Sequence, residues 1–501
     1  MSHLRPLLGW SLSLLLLAPA LQAATSPQLL RVYFHDRKDV RALAKSGADI
    51  VRHGDHWLEV VVPGDDEVST QSTIHIQRIL SRFDKQEVLV KNLDSLLDQF
   101  QGRPDLGVYH TVKEAHDELA AYAKQYPQIC RVESIGKTFE GRDIEALVVG
   151  PQGAKAAGKP KFMFCGAHHS REWISVEVPM TLAKKLVTGY ATDPATKALV
   201  DSRITWIIPV LNPDGTNYSQ TASKMWRKNR RKNSDGSFGV DPNRNYGYQW
   251  GGLGASTYPD SDTYRGEAGF SEPETAAIRD LARREHFAAD ISFHSYSELV
   301  FWPWSYSDDH IDAAHETLYK KFATDMAAIN GYTAEKSSDL YASSGDFDDF
   351  MFGDTKACSF TIELAQTFVP AESEVPDICE KNSNVCLWVM KNLEDAFPRM
   401  AHTPPASGTA DGFNVQVTLN KDLYPDDNAS SVSAVYSTAD GSIASTELPA
   451  VAGQKAAFSG MIPAKAKAYH FEYKASDGQT VRWPPYRDFD APASPQQRVA
   501  R

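Results

Sequence analysis

Five short runs, at residues 146–149, 161–165, 206–211, 289–293 and 359–364, read as strands, and the first three of them are apolar almost throughout. A strand with one face in water alternates polar and apolar residues, so runs without alternation read as strands buried on both faces. Helical stretches separate them. The expected fold is therefore α/β, with a mixed, mostly parallel central sheet flanked by helices.

A chain of 501 residues is longer than one hydrophobic core usually serves, and further folding units are expected on either side of that sheet. Residues 24–106 read as a small α/β domain. Its strands are expected at 29–34, 57–62 and 88–90, and its helices at 37–45, stopped by Gly47, at 73–83 and at 93–100. The Gly102-Arg103-Pro104 break closes it, and a capping box of Thr111 and Glu114 opens the large domain, 107–400. His402-Thr-Pro-Pro-Ala-Ser-Gly-Thr-Ala reads as a linker. Beyond it Phe413, Val415, Val417 and Leu419 alternate with polar residues, as do Tyr469, Phe471 and Tyr473, and Asp477-Gly478 is a turn signal. Residues 408–501 are expected to form a β-sandwich.

The first 23 residues carry Arg5, an apolar run from Leu7 to Leu17 and then small residues up to Ala24, which is the pattern of a cleaved export signal. The run is too short to span a bilayer, so no membrane span is expected after cleavage, and the protein is expected to be secreted or periplasmic. With 64 acidic against 52 basic residues the formal charge is −12, which argues against a nucleic-acid partner. An oxidising compartment permits disulfides. Of Cys130, Cys165, Cys358, Cys379 and Cys386, the close pair Cys379 and Cys386 is the expected bridge, whereas Cys165 and Cys358 sit in apolar strands as small hydrophobes.

The chemistry gathers where strands end. Phe162-Met-Phe-Cys-Gly-Ala-His168-His169-Ser-Arg171-Glu172-Trp173 is an apolar strand that stops at glycine and turns polar. A His and a Glu three residues apart can reach one ion, although alone the pattern also fits a solvated turn. A second strand, Asp290-Ile-Ser-Phe-His294, could bring an imidazole to the same edge. Two histidines and a glutamate leave one position on a zinc ion for water, and a base is then needed to take its proton. Glu363, the one charged residue in the strand Cys358-Ser-Phe-Thr-Ile-Glu363-Leu364, is the candidate.

These motifs resemble the carboxypeptidase A/B family of zinc exopeptidases over about residues 107–400. The resemblance implies Zn²⁺ held by His169, Glu172 and His294, Glu363 as general base, and Arg230 in Trp226-Arg227-Lys-Asn-Arg230 as the group that stabilises the oxyanion. It further implies that Arg171 and Tyr296 line the substrate groove, that Asn243 and Arg244 grip the terminal carboxylate, and that Asp241 orients His169. Tyr341 would close over the substrate, a peptide or protein C-terminus. Asp348 falls at the base of the S1′ pocket, where a carboxylate favours Lys or Arg. Lys336 could pair with it and cancel that preference. The N-terminal domain resembles the family's propeptide at Tyr33-Phe-His, 43–48 and 57–63, which implies an activating protease as a partner.

Overall fold

The computed structural model describes residues 26–63, 70–100, 105–156, 159–396, 399–421, 424, 428–475, 480–483 and 488–492. The expected export signal, the Gly102-Arg103-Pro104 break and the Asp477-Gly478 turn lie outside them. Among the described residues no helix is long and apolar enough to cross a membrane.

The N-terminal unit is a four-stranded sheet of β1 (Gln28–Tyr33), β2 (Asp49–Gly54), β3 (Trp57–Val62) and β4 (Lys85–Val90), in the order β2-β3-β1-β4. Two helices, Arg37–Lys45 and Thr70–Leu80, cover one face. β2 was not foreseen, because its sequence, Asp-Ile-Val-Arg-His-Gly, carries charge instead of a long apolar run. Its Asp49 pairs with Arg171 of the large domain.

The central sheet has eight strands: β5 (Cys130–Lys137), β6 (Asp143–Val149), β7 (Lys161–Cys165), β8 (Ile204–Ile208), β9 (Ala289–Ser295), β10 (Leu299–Trp302), β11 (Thr333–Lys336) and β12 (Cys358–Leu364). Their order is β11-β10-β12-β9-β7-β8-β6-β5. The middle four, β12, β9, β7 and β8, are parallel, and antiparallel pairings begin on both sides of them. Successive side chains of these strands go to opposite faces. Phe162, Phe164, Ile291, Phe293, Phe360 and Ile362 join one apolar cluster, and Met163, Cys165, Trp206 and Ile208 join another. Helices Ile174–Gly189, Ala313–Asn330 and Val375–Ala396 cover the first face, and Pro273–Glu285 and Phe347–Thr355 the second. β8 ends at Ile208 and not at Leu211, since Pro209 has no N–H for the ladder.

The third unit is a sandwich. β13 (Met400–His402), β14 (Gly412–Leu419) and β17 (Ala457–Pro463) form one sheet; β15 (Val432–Thr438), β16 (Ile443–Leu448), β18 (Ala466–Lys474), β19 (Thr480–Trp483) and β20 (Phe489–Asp490) form the other. Val415 and Val417 from the first meet Ala434 and Phe471 from the second in one apolar cluster. The unit starts earlier than the linker suggested: Met400 pairs with Leu419, and the His402 ring packs on Phe471 at 4.8 Å.

The expected Cys379–Cys386 bridge is not formed. Both residues lie on helix Val375–Ala396, two turns and so about 10 Å apart along its axis, too far for a disulfide. All five cysteines are free and buried.

His110 ties two helices of the large domain together. Its backbone N–H and Nδ1 both lie 2.7 Å from Glu177, in the first turn of Ile174–Gly189, and Nε2 lies 3.0 Å from Glu118 on Val112–Gln125. Burial works against the charged imidazole, but the two carboxylates outweigh it and lift its pKa to about 9. A raised pKa stabilises the fold fully below the unfolded value of about 6.5, and that stabilisation is lost as pH rises through 9. Relative to His110→Gln, the parent should therefore lose about 2–3 kcal/mol of unfolding free energy between pH 6.5 and 9.5. A pH-independent difference in denaturant midpoints would refute it.

Candidate active site and metal centre

β7 and β9 are parallel neighbours, so their C-terminal ends open at one edge of the sheet, where chemistry can be assembled from both. Gly166 makes the first turn out of β7. A Cβ there would lie 2.1 Å from the Ser175 carbonyl, so no side chain fits and the chain passes directly into His168–Trp173. His169 Nδ1 then lies 2.8 Å from one Glu172 oxygen. His294 Nδ1, from β9, lies 3.1 Å from the other and 3.1 Å from His169 Nδ1. All three residues are buried, and their ligand atoms fall within 4.8 Å of one another.

The other ring nitrogen of His169 faces Asp241 Oδ1 at 3.1 Å. With Asp241 accepting from Nε2, His169 turns Nδ1 toward Glu172 and the second imidazole, and two imidazole nitrogens with a carboxylate are a zinc donor set. Burial acts to raise the Glu172 carboxyl, but His169 and His294 hold it far below the usual range. Asp241 also lies well below its usual range, because Arg227, foremost, and His169 outweigh burial. A further histidine, His168, is locked by Tyr246 Oη at 2.8 Å and Ser292 Oγ at 3.1 Å, and it stacks on His294 at 5.2 Å.

Glu363 is brought in by register: β12 runs parallel to β9 and pairs Glu363 with His294. Burial, and then the charge of Glu172, push its carboxyl well above the usual range. Arg244 and Asn243, in the turn after Asp241, line the same cavity, and Tyr341 closes on Arg244 with its hydroxyl 2.6 Å from Nη2. Asp348 reaches the cavity from helix Phe347–Thr355 and accepts from Ser305 Oγ at 3.0 Å and Ser337 Oγ at 2.8 Å. Lys336 does not neutralise it, since its Nζ donates to the carbonyls of Asp308 and Asp309 instead.

One expected residue is elsewhere. Arg230 does not line the cavity; its guanidinium lies over the rings of Tyr218 at 3.6 Å and of Trp226 and Phe238 at 4.7 Å. Arg227 takes the place beside the metal ligands, 2.9 Å from Asp241 and 3.8 Å from Glu172. The segment between them is non-helical, and in extended chain residues three apart point to opposite sides.

The N-terminal unit sits in the cleft. Asp49 of β2 is paired with Arg171 and lies 3.5 Å from Arg227, while Glu59 of β3 accepts from Tyr296 Oη at 3.0 Å. Ile50 and Val51 join the metal ligands in lining a cavity of ≈ 70 Å³, room for a few waters and not for a peptide. Sequence reasoning missed Asp49, Glu59 and Arg227 as site neighbours; only the Arg227 segment gave any local signal.

A buried His-Glu-His cluster at the parallel edge of a mixed α/β sheet, with Arg244 and Asn243 lining the same cavity, fits a zinc site. The Peptidase_M14 zinc carboxypeptidase family model matches residues 115–385, and the chain belongs to that family. It is an enzyme, a metallocarboxypeptidase. A zinc carboxypeptidase of Saccharothrix mutabilis subsp. capreolus is 31% identical over 379 residues, covering 72% of this chain and 87% of that protein. Carboxypeptidase B of Homo sapiens is 33% identical over 353 residues, covering 66% and 84%. The crystal structure of thrombin activatable fibrinolysis inhibitor superposes with a TM-score of 0.61 over 74% of this chain and 99% of that one; at 24% identity it speaks for the fold alone.

Proposed function

We propose that the chain is an exported, latent exopeptidase that releases single residues from free peptide and protein C-termini and prefers Arg and Lys. The observation that carries the preference is the Asp348 carboxylate, buried in the cavity with two serine hydroxyls and, among the described residues, no cation paired with it. A substrate guanidinium or ammonium would pair with it, whereas an apolar side chain would leave it buried and uncompensated.

Zinc, when bound, acidifies water and polarises the scissile carbonyl. Glu363 takes the proton of the attacking water and returns it to the leaving amine. Arg227 turns Nη1 toward the developing oxyanion once Asp49 has left. Arg244 and Asn243 grip the terminal carboxylate and Tyr341 closes over it; an internal peptide has no carboxylate to offer and would leave the guanidinium unpaired. Arg171 and Tyr296 hold the chain upstream of the cut. The N-terminal unit acts as an inhibitory propeptide, a role supported by Asp49, Ile50 and Val51 in the cleft, and an activating protease removes it. The export signal supports a secreted or periplasmic location.

The test is an assay of intact and proteolytically processed protein on matched peptides ending in Arg, Lys, Phe, Leu and Glu, with and without a chelator. Only the processed, metal-loaded form should turn over rapidly, with Arg and Lys favoured over Phe and Leu by about 10²-fold. Burial, with the charge of Asp346, lifts the Asp348 carboxyl to about 6, so the preference should fade as pH falls through that value. Turnover unaffected by chelator would end the zinc mechanism, Phe well ahead of Arg would end the role of Asp348, and a fully active intact chain would end latency.

A further inference from the structure

Asp346 stands at the start of helix Phe347–Thr355 with extended backbone, φ −84° and ψ 156°, where an aspartate commonly accepts from the helix's own amides. Its side chain makes no such bond. Oδ1 instead accepts from Arg244 Nη1 at 2.7 Å, and Oδ2 accepts from Ser343 Oγ. Further donors of Arg244 are engaged as well, Nε with the Gly254 carbonyl at 2.8 Å and Nη2 with Tyr341 Oη at 2.6 Å. The carboxylate clamp thus already holds a carboxylate.

A substrate terminus that reaches Arg244 meets Asp346 there. Both charges would lie on one buried guanidinium, and at 4% exposure Asp346 has no water into which to withdraw. It lines the same cavity as Asp348, two residues further along the chain, so a side chain directed at Asp348 passes within its reach. We propose that Asp346 is a specificity-determining residue that changes partner on binding, from Arg244 to the cationic side chain of the substrate's last residue. This rests on the exopeptidase reading above and deepens it, because the terminal carboxylate and the basic side chain are then read jointly. A neutral last residue displaces Asp346 from Arg244 and gives it nothing in return, while Arg or Lys supplies the missing cation. Discrimination against neutral residues therefore comes from two carboxylates, one of which acts by obstructing the clamp.

The test compares processed wild type, Asp346→Asn, Asp346→Ser and Asp348→Asn on peptides ending in Arg and in Leu, with zinc content measured for each. Removing the Asp346 charge should lower KM for the Leu-ending peptide by about tenfold or more, without a matching gain for the Arg-ending one and with kcat changed less than about threefold. Asp348→Asn should erode the same ratio by the opposite route, through loss on the Arg-ending peptide. Asp346→Glu, which keeps the charge, should keep the ratio. An unchanged Arg-to-Leu ratio in both uncharged Asp346 variants, an equal gain on both peptides, or an equal loss on both with zinc retained would overturn the proposal. A wild type that prefers Leu would overturn the basic preference itself, a failure visible without any variant.

Discussion

Glu363→Gln in the processed enzyme should lower kcat by about 10²–10⁴-fold while one zinc per chain stays bound and KM changes little. The substitution keeps the size and hydrogen-bonding shape of the side chain and removes only its ability to accept a proton. Glu363 is not among the convergent ligand atoms of His169, Glu172 and His294, so metal retention is expected. The large effect follows from placement: β12 sets Glu363 beside His294 in register, and burial pushes its carboxyl above the usual range, toward the region where a group can both take and return a proton. Zinc content by metal analysis and kcat by single-turnover kinetics separate the two roles. Undiminished turnover would remove Glu363 as base, and loss of zinc would make it part of the metal site.

Arg227→Ala should lower kcat by about 10²–10³-fold, the loss usual for one oxyanion donor, whereas Arg230→Leu should leave kcat within about threefold. Arg227 lines the cleft, and its Nη1 lies 3.5 Å from the carboxylate of Asp49. Arg230 stacks on three aromatic rings outside the cavity, so its removal should affect stability by about 1 kcal/mol and little else. Because Arg227 also holds Asp241, which faces His169, zinc affinity must be measured on the same variant. A fall in kcat at full zinc occupancy identifies the oxyanion role. If Arg230→Leu loses turnover and Arg227→Ala keeps it, the assignment returns to Arg230.

The sheet and the metal triad could be read in the sequence because both are written in short-range patterns. Runs such as 146–149 and 161–165 lack alternation, and the observed strands bury both faces as such runs require. His169 and Glu172 lie within one turn of chain at a strand end, and His294 ends a strand of the same kind; parallel pairing then brings them to one edge. Local chemistry of the same order explains why the Thr111–Glu114 capping box was foreseen and is present.

What could not be read are the partners of buried charges. Cys379 and Cys386 look close in sequence but are separated by two helical turns, and Arg227 and Arg230 sit in one basic run yet face opposite ways. Asp346 pairs with Arg244 across 102 residues, Asp49 with Arg171 across 122, and Lys336 turns to backbone carbonyls and leaves Asp348 to two serine hydroxyls. The amino-acid sequence by itself determined the sheet and the convergence of His169, Glu172 and His294, since strand burial and strand-end turns depend on neighbours a few residues away. Only the tertiary structure decided which arginine faces the metal and which carboxylate holds the clamp. A buried charge takes its partner from whichever distant segment the crossing of strands and loops brings within about 3 Å, and no local pattern records that choice.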